Sequence, residues 1–266
     1  SDGFTLKIGG GGTSEWYDNL HDDKIVGWSW KAGGTASSNG DGDITSSVSA
    51  NTTAGFSIVS YTGQAAAGTI GHGLSQAPEL IILKNRDQGV YWAGYVEALG
   101  NTKSISINDA GAAYSEKTWN DTTPTASVFS VGAQSETSSG RFNVAGEKFI
   151  AYCFHSVDGY SKVGSYTGNA STDGAFIYTG FRPAFLLIKR SSATEGWYLI
   201  DNKREGYNFK NDPLQAQASV AEANTELLEI TSNGFKTRTT DTAVNGSGTY
   251  IYLAFAESPF KTANAR

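Results

Sequence analysis

The amino-acid sequence predicts an all-β protein made of tandem antiparallel β-sandwich units. Apolar and aromatic residues form short runs, such as 80–83 and 250–255, and Gly, Pro or Asn bounds these runs. No long stretch has the 3.6-residue periodicity of an amphipathic helix. Glycine (32 residues) and aromatic residues (12%) are abundant, whereas charged residues make up only 17%. Motifs that recur at one fixed spacing indicate that the units are related by an internal repeat.

The internal repeat has a spacing of 105 residues. The motif Ser-Tyr-Thr-Gly occupies residues 60–63 and recurs at residues 165–168. Three further matches fall at the same spacing: Pro78 with Pro183, residues 80–84 with residues 185–189, and Trp92 with Trp197. Since four matches share one spacing, the sequence predicts two units that fold alike.

The repeat divides the chain into four segments. The N-terminal Ser-Asp-Gly-Phe motif matches Ser-Asn-Gly-Phe at residues 232–235, which marks the N-terminus as the end of a preceding unit. The predicted segments are a terminal strand pair at 1–34, a Ser/Thr/Gly-rich linker at 35–54, a first unit at 55–158 and a second unit at 159–266. The linker assignment rests on how few apolar residues the segment offers for burial.

One short helix is expected near residues 212–228. Asp212 precedes Pro213, an arrangement typical of an N-cap followed by the first helical position. The residues that follow are rich in Ala, Gln and Glu, which favour helix formation.

Composition excludes several classes of protein. The formal net charge is −6, and Lys and Arg are scattered, so a nucleic-acid-binding face is not expected. The longest apolar run is far shorter than the roughly 20 residues of a membrane-spanning helix, so no membrane insertion is expected. Cys153 is the only cysteine and lies in an apolar run, which favours a small buried residue over a nucleophile.

The sequence offers no recognisable catalytic motif. It has no nucleophile elbow, P-loop or dinucleotide fingerprint, and its three histidines lack the spacing of a metal site. The carboxylates do not repeat with the units, so a non-enzymatic protein is expected. Asp41 and Asp43 alternate with glycine, and this oxygen-rich stretch is either a tight turn or a Ca²⁺ ligand set. No other cofactor is expected.

Aromatic residues in loop-like stretches are candidates for contact with a sugar or a partner, because pyranose CH groups stack on aromatic rings. The alternative for each is ordinary packing. The candidates are Trp16, Tyr17, Tyr91, Tyr114, Trp119 and Tyr207. Trp92 and Trp197 repeat together with the predicted core strands, so packing explains them better.

Several motifs resemble a repeat domain in virion structural proteins of marine bacteriophages, including phages of cyanobacteria. The motifs lie at residues 55–63, 71–74, 78–84, 151–154, 164–168, 181–183, 232–235 and 254–260. The resemblance implies a location on the virion, in a tail fibre, a receptor-binding component or a capsid-surface decoration. It also implies association with other virion proteins and with further copies of the chain, with a homotrimer expected.

Two other function classes stay open at this point. One is a carbohydrate-binding module that recognises glycans on the host surface, and the other is a glycan hydrolase. A hydrolase needs two carboxylates that face each other about 5 to 10 Å apart, and nothing in the sequence pairs two such groups.

Overall fold

The computed structural model describes residues 27–134, 140–204 and 212–258. The chain divides into two compact units, Ser1–Lys31 and Ala32–Arg266. In the first unit only residues 27–31 are described, and they form no regular secondary structure. Most of the predicted terminal strand pair at 1–34 therefore lies outside the described residues.

The described part of the second unit is built almost entirely of β-strands. Two single-turn 3₁₀ helices, Glu97–Leu99 and Lys117–Trp119, are its described helical elements. In chain order the strands are β1 (Ser37–Asn39), β2 (Ser46–Asn51), β3 (Phe56–Thr62), β4 (Gly68–Gly71), β5 (Leu80–Asn85), β6 (Ala93–Val96), β7 (Lys103–Ser106), β8 (Tyr114–Ser115), β9 (Val128–Val131), β10 (Lys148–Phe154), β11 (Ser161–Gly168), β12 (Phe176–Tyr178), β13 (Pro183–Arg190), β14 (Trp197–Asp201), β15 (Leu214–Gln215), β16 (Leu228–Thr231), β17 (Gly234–Thr237) and β18 (Gly248–Ala256). The all-β prediction is confirmed.

The first sandwich packs a large sheet against a small one. The large sheet has the strand order β1-β2-β3-β10-β5-β6-β7-β8, and the small sheet pairs β4 with β9. All of these pairings are antiparallel. Alternate residues of the central strands face the small sheet, as the two-residue period of a strand requires. The core between the sheets contains Val59, Tyr61, Ile70, Ile81, Leu83, Phe129, Val131 and Phe149.

The second sandwich has the same plan. Its large sheet has the order β11-β18-β13-β14-β15, and its small sheet has the order β12-β17-β16. The core between them contains Ile177, Leu186, Ile188, Ile230, Phe235, Tyr250 and Tyr252. The first large sheet is built from strands up to Phe154, and the second is built from strands that begin at Ser161.

The central strands of the two sandwiches correspond one to one. The order β3-β10-β5-β6 in the first large sheet is matched by β11-β18-β13-β14 in the second. Tyr61 stacks on its cross-strand partner Phe149 at 5.1 Å between ring centroids, and Tyr166 stacks on its partner Tyr250 at 4.9 Å. The two halves are therefore alike in strand order and in this ring contact. Descent from one duplicated module stays a prediction.

The two large sheets meet through their outward faces. Leu80 and Val96 of the first sheet face Leu187 and Leu253 of the second across a gap of about 10 Å³. The rings of Phe154 and Phe255 also contact each other, at 6.3 Å between centroids. Because β18 is covered on both sides, its run of apolar residues has no polar face. The sandwiches thus share an apolar interface, and the gap left in it is too small for a ligand.

The predicted linker at 35–54 is wrong, because this segment contributes two strands to the first large sheet. β2 pairs with β3 over its full length, and β1 pairs with β2. Ile44 and Val48 are buried in the core although serines and threonines surround them. Ser46 and Ser49 are buried as well and donate hydrogen bonds to backbone carbonyls, so small polar residues line this part of the sheet.

The predicted helix near 212–228 is also wrong. Leu214 and Gln215 form the edge strand β15, and residues 216–227 have no regular helix or strand. Asp212 has a φ of 32°, which is not the extended conformation of an N-cap. Most side chains of 216–226 are exposed, so a helix here would have had no apolar face to bury.

Candidate functional site

Tyr91 and Tyr114 are brought together by Arg141, and the structure thereby joins two of the sequence candidates. Tyr91 lies between β5 and β6, Tyr114 is in the edge strand β8, and Arg141 precedes β10. The guanidinium carbon of Arg141 lies 5.2 Å from the centroid of each ring, within the range of a cation–π contact. Tyr91 is 46% exposed, so its ring is open to a ligand.

The arginine of this cluster is held from several sides. Its Nη1 atom donates a hydrogen bond to the Tyr114 hydroxyl and lies 3.9 Å from a carboxylate oxygen of Glu116. Burial raises the pKa of Tyr114, and the charge of Arg141 partly offsets this effect. The tyrosine therefore stays protonated at neutral pH. The arrangement presents one fixed aromatic face beside an arginine that is paired with Glu116, which suits contact with a sugar ring.

Trp119 does not belong to this surface, and its assignment as a ligand candidate is wrong. Its side chain is 1% exposed and packs edge-on against Tyr95 at 5.6 Å between ring centroids. The alternation of apolar and polar residues that marks a strand could not reveal this burial, because Trp119 lies in a single 3₁₀ turn. Trp16, Tyr17 and Tyr207 lie outside the described residues.

Trp92 and Trp197 take part in packing. Trp92 stacks on Tyr152 at 6.5 Å between centroids with an interplanar angle of 13°. Trp197 is buried, and its ring Nε1 donates a hydrogen bond to the carbonyl of Ser106 at 2.9 Å. This second contact joins the two sandwiches.

Asp41 holds a local turn, whereas Asp43 ties the loop between β1 and β2 to β4. An Asp41 carboxylate oxygen accepts a hydrogen bond from the side-chain amide of Asn39 at 2.8 Å. Asp43 accepts bonds from the Thr69 hydroxyl at 2.8 Å and the Thr69 backbone N–H at 3.1 Å, and these bonds lower the pKa of its carboxyl. Among the described residues no group of three His, Cys, Asp or Glu side chains could hold a metal ion. Asp41 therefore has the geometry of a turn residue, and the Asp43 carboxylate is occupied by its bonds to Thr69.

A surface that sequence analysis missed lies on the outer face of the first large sheet. We call it the outer platform. Its residues are Ser38, Thr45, Ser47, Ser60, Thr62, Arg86 and Lys148, which line a groove of about 440 Å³. No local motif marks it, since its seven residues come from five separate segments that only the sheet register brings together.

The outer edge of β11 is a second feature that sequence analysis missed. The backbone N–H of Ser161 donates to the Val157 carbonyl, and that of Val163 donates to the Ser156 hydroxyl at 3.0 Å. Along a strand, alternate residues direct their backbone groups to the same side. Ser165 and Thr167 therefore face the open edge, where both are exposed and no described residue pairs with them.

Lys189 is a buried cation between the two sandwiches. Its Nζ atom donates to the carbonyls of Arg190 at 2.7 Å and Ala110 at 3.2 Å, and the residue is fully covered. Burial lowers its pKa to about 8, although the carboxylates of Glu195 and Asp109 act in the opposite direction. Its contacts are structural, because both acceptors are backbone carbonyls.

The fold and these surfaces define an all-β protein of two packed sandwiches whose described helices are single 3₁₀ turns. No helix in the described ranges is long and apolar enough to cross a membrane. The chain belongs to the family described as Domain of unknown function (DUF7483), whose model matches residues 1–259. No curated protein matches the chain, and no solved structure matches it.

Proposed function

We propose that this protein is a non-enzymatic structural component of a bacteriophage virion, in a tail fibre or receptor-binding component or as a capsid-surface decoration. The observation that carries the proposal is the open edge of β11. In the first sandwich β2 covers the corresponding edge of β3 over six residue pairs, whereas Ser165 and Thr167 of β11 stay exposed. An open edge of this kind is a template for pairing with a strand of another chain.

The strand that fits this edge is β1 of a second copy. β1 is the outermost strand of the first large sheet and has three residues, Ser37–Asn39, of which two are exposed. The open part of β11 has the same length, from Ser165 to Thr167. Pairing between two different edges is heterologous, and it closes into a ring when the rotation between neighbouring copies is a whole fraction of a turn. A ring of three copies is the homotrimer that the resemblance to virion proteins implies.

The assembly is tested by the mass of the purified chain in solution. Ser165→Pro removes one outward N–H without touching the bonds to β18, and Ser165→Ala is the matched control that keeps it. Native mass spectrometry is expected to give a trimer for the wild type and the control and a monomer for Ser165→Pro. A trimer that survives Ser165→Pro would exclude this edge as the contact. A monomeric wild type would exclude the oligomer.

The location on the virion needs a separate experiment. An antibody against the chain, applied to intact particles of the phage that encodes it, is expected to label the tail or the capsid surface in electron micrographs. Peptides of the chain should also appear in the mass spectrum of purified particles. Particles with neither label nor peptides would refute the virion proposal whatever the oligomeric state.

A carbohydrate-binding module is the second candidate function, favoured by the ring of Tyr91 beside Arg141. A glycan array is expected to show a sugar preference that Tyr91→Ala abolishes. Tyr178→Ala is the control, because Tyr178 is a surface tyrosine of the second sandwich, 66% exposed. Equal signals from the wild type and Tyr91→Ala would remove this cluster as a sugar site.

A further inference from the structure

The outer platform consists of two parallel rows of side chains on the face of the first large sheet that points away from the first core. In one row the sheet register places Ser38 beside Ser47 and Ser47 beside Ser60. In the other row Thr62 is paired with Lys148, and Arg86 follows on the next strand. The rows lie two residues apart along the strands, so their side chains point to the same side.

Arg86 and Lys148 stand directly opposite each other on neighbouring strands. The backbone N–H of Arg86 donates to the carbonyl of Lys148 at 2.8 Å, which continues the ladder between β5 and β10 by one pair. Like charges in such cross-strand positions repel each other and destabilise the sheet. An anion bound between them would relieve this repulsion.

Neither cation is neutralised within the described part of the chain. Both side chains are exposed, and neither makes an ion pair or a side-chain hydrogen bond with a described residue. The Asp87 carboxylate accepts the backbone N–H of Lys148 at 2.7 Å. A pair of unneutralised cations is notable in a chain whose formal net charge is −6.

The hydroxyl groups of the outer platform indicate which kind of anion the groove binds. Five serine and threonine side chains share the groove with the two cations, and its volume of about 440 Å³ lies in the usual range of ligand sites. Hydroxyls can both donate to and accept from the hydroxyl groups of a sugar. The platform residues themselves present no exposed aromatic ring on which nucleic-acid bases could stack.

We propose that the outer platform binds an anionic polysaccharide. Arg86 and Lys148 contact its sulfate or carboxylate groups, and the serine and threonine hydroxyls contact its sugar hydroxyls. The site uses other residues than the Tyr91 cluster and the edge of β11, so this proposal is tested independently of the proposed assembly.

The test measures the binding of the full chain to polymers of matched length at low ionic strength. The probes are dextran sulfate, polygalacturonate, neutral dextran and oligothymidylate. Binding of dextran sulfate, polygalacturonate or both, weakening as salt rises, is expected, and the comparison tells whether sulfate or carboxylate is preferred. Equal binding of neutral dextran would overturn the role of charge. Oligothymidylate binding as tight as the better acidic polysaccharide would overturn the ligand class.

Substitutions then locate the site. The double variant Arg86→Gln/Lys148→Gln is expected to bind the preferred acidic polysaccharide at least 10-fold more weakly than the wild type. The control Lys103→Gln/Lys162→Gln removes the same charge from other strands and should change the affinity less than twofold. An equal loss in both variants, or in neither, would overturn the assignment to the platform.

A separate pair of measurements guards against misfolding. Since Arg86→Gln removes a like-charge contact, its melting temperature without ligand should equal or exceed that of the wild type. Ser47→Ala/Ser60→Ala keeps both cations and should weaken polysaccharide binding several-fold. Unchanged binding in this variant would mean that the hydroxyl row takes no part, and would overturn the polysaccharide assignment in favour of a simple anion site.

Discussion

Asn143 and Asn245 hold corresponding loops of the two sandwiches in the same way. The side-chain oxygen of Asn143 accepts the backbone N–H of Gln64 at 2.9 Å, and that of Asn245 accepts the backbone N–H of Asn169 at 3.1 Å. Gln64 and Asn169 each follow the repeated Ser-Tyr-Thr-Gly motif. The side-chain amides donate to backbone carbonyls, Asn143 to Ala66 and Gly132, and Asn245 to Ser171 and Thr239.

Replacing either asparagine with alanine should destabilise the protein. Both residues are fully buried, so Asn143→Ala or Asn245→Ala removes a buried side chain and leaves three partly buried backbone groups without their partner. We expect each variant to lower the free energy of unfolding by at least about 2 kcal/mol. Chemical denaturation followed by tryptophan fluorescence measures this. Asn224→Ala, at an exposed position, is the control and should stay within about 0.5 kcal/mol of the wild type.

The two corresponding tyrosines should respond differently to loss of their hydroxyls. Tyr166 donates to the Val244 carbonyl at 2.6 Å, whereas the buried Tyr61 hydroxyl has no partner among the described residues. Tyr166→Phe should therefore cost about 1 kcal/mol of stability. Tyr61→Phe should be neutral or stabilising, because it removes an unsatisfied polar atom from the core. Equal losses in both variants, measured by denaturation, would contradict this difference.

Apolar runs made the central strands predictable from the sequence. The run at 80–84 became β5, the run at 185–189 falls within β13, and both lie beside the last strand of their sandwich. Such segments are specified locally, since a short apolar run flanked by Gly or Pro has little alternative to a buried strand. The lack of polar alternation in β18 likewise predicted its burial on both faces.

Features that depend on distant partners were not predictable. β2 reads as a linker because serine and threonine dominate it, and its strand character comes from pairing with β3. Residues 214–226 have helical propensity, but Leu214 instead pairs with Leu199 at the edge of a sheet. The outer platform likewise exists only because the register places Lys148 beside Arg86. Propensity gave the wrong answer where tertiary pairing decided the structure.

Cys153 should be unreactive in the folded protein. It lies in β10, is fully buried, and burial raises the pKa of its thiol to about 12. Only the thiolate reacts with alkylating reagents, so both access and ionisation are blocked at neutral pH. We expect no reaction with a maleimide in buffer and one equivalent of reaction in denaturant, measured by intact mass. Rapid labelling of the folded chain would contradict the burial of β10.

Lys189 should make stability depend on pH on the alkaline side of neutrality. Its pKa is about 8 in the folded protein and 10.5 as the ordinary value, because burial disfavours the charged form. Between these two pH values the unfolded chain holds the proton that the folded chain has released. Stability rises with pH wherever the unfolded state binds more protons. The contribution of Lys189 to the free energy of unfolding should therefore increase from about pH 8 toward pH 10.5.

Other buried groups act in the opposite direction, so the effect must be measured as a difference. Burial raises the pKa of the Cys153 thiol and the Tyr61 hydroxyl. These groups ionise more readily in the unfolded chain, so they lower the free energy of unfolding as the pH rises. Lys189→Met keeps these groups and removes the amine. Denaturation of wild type and variant from pH 7 to pH 10 should show the wild type gaining stability relative to Lys189→Met above about pH 8. A difference that stays constant over this range would mean that Lys189 keeps an ordinary pKa in the folded protein.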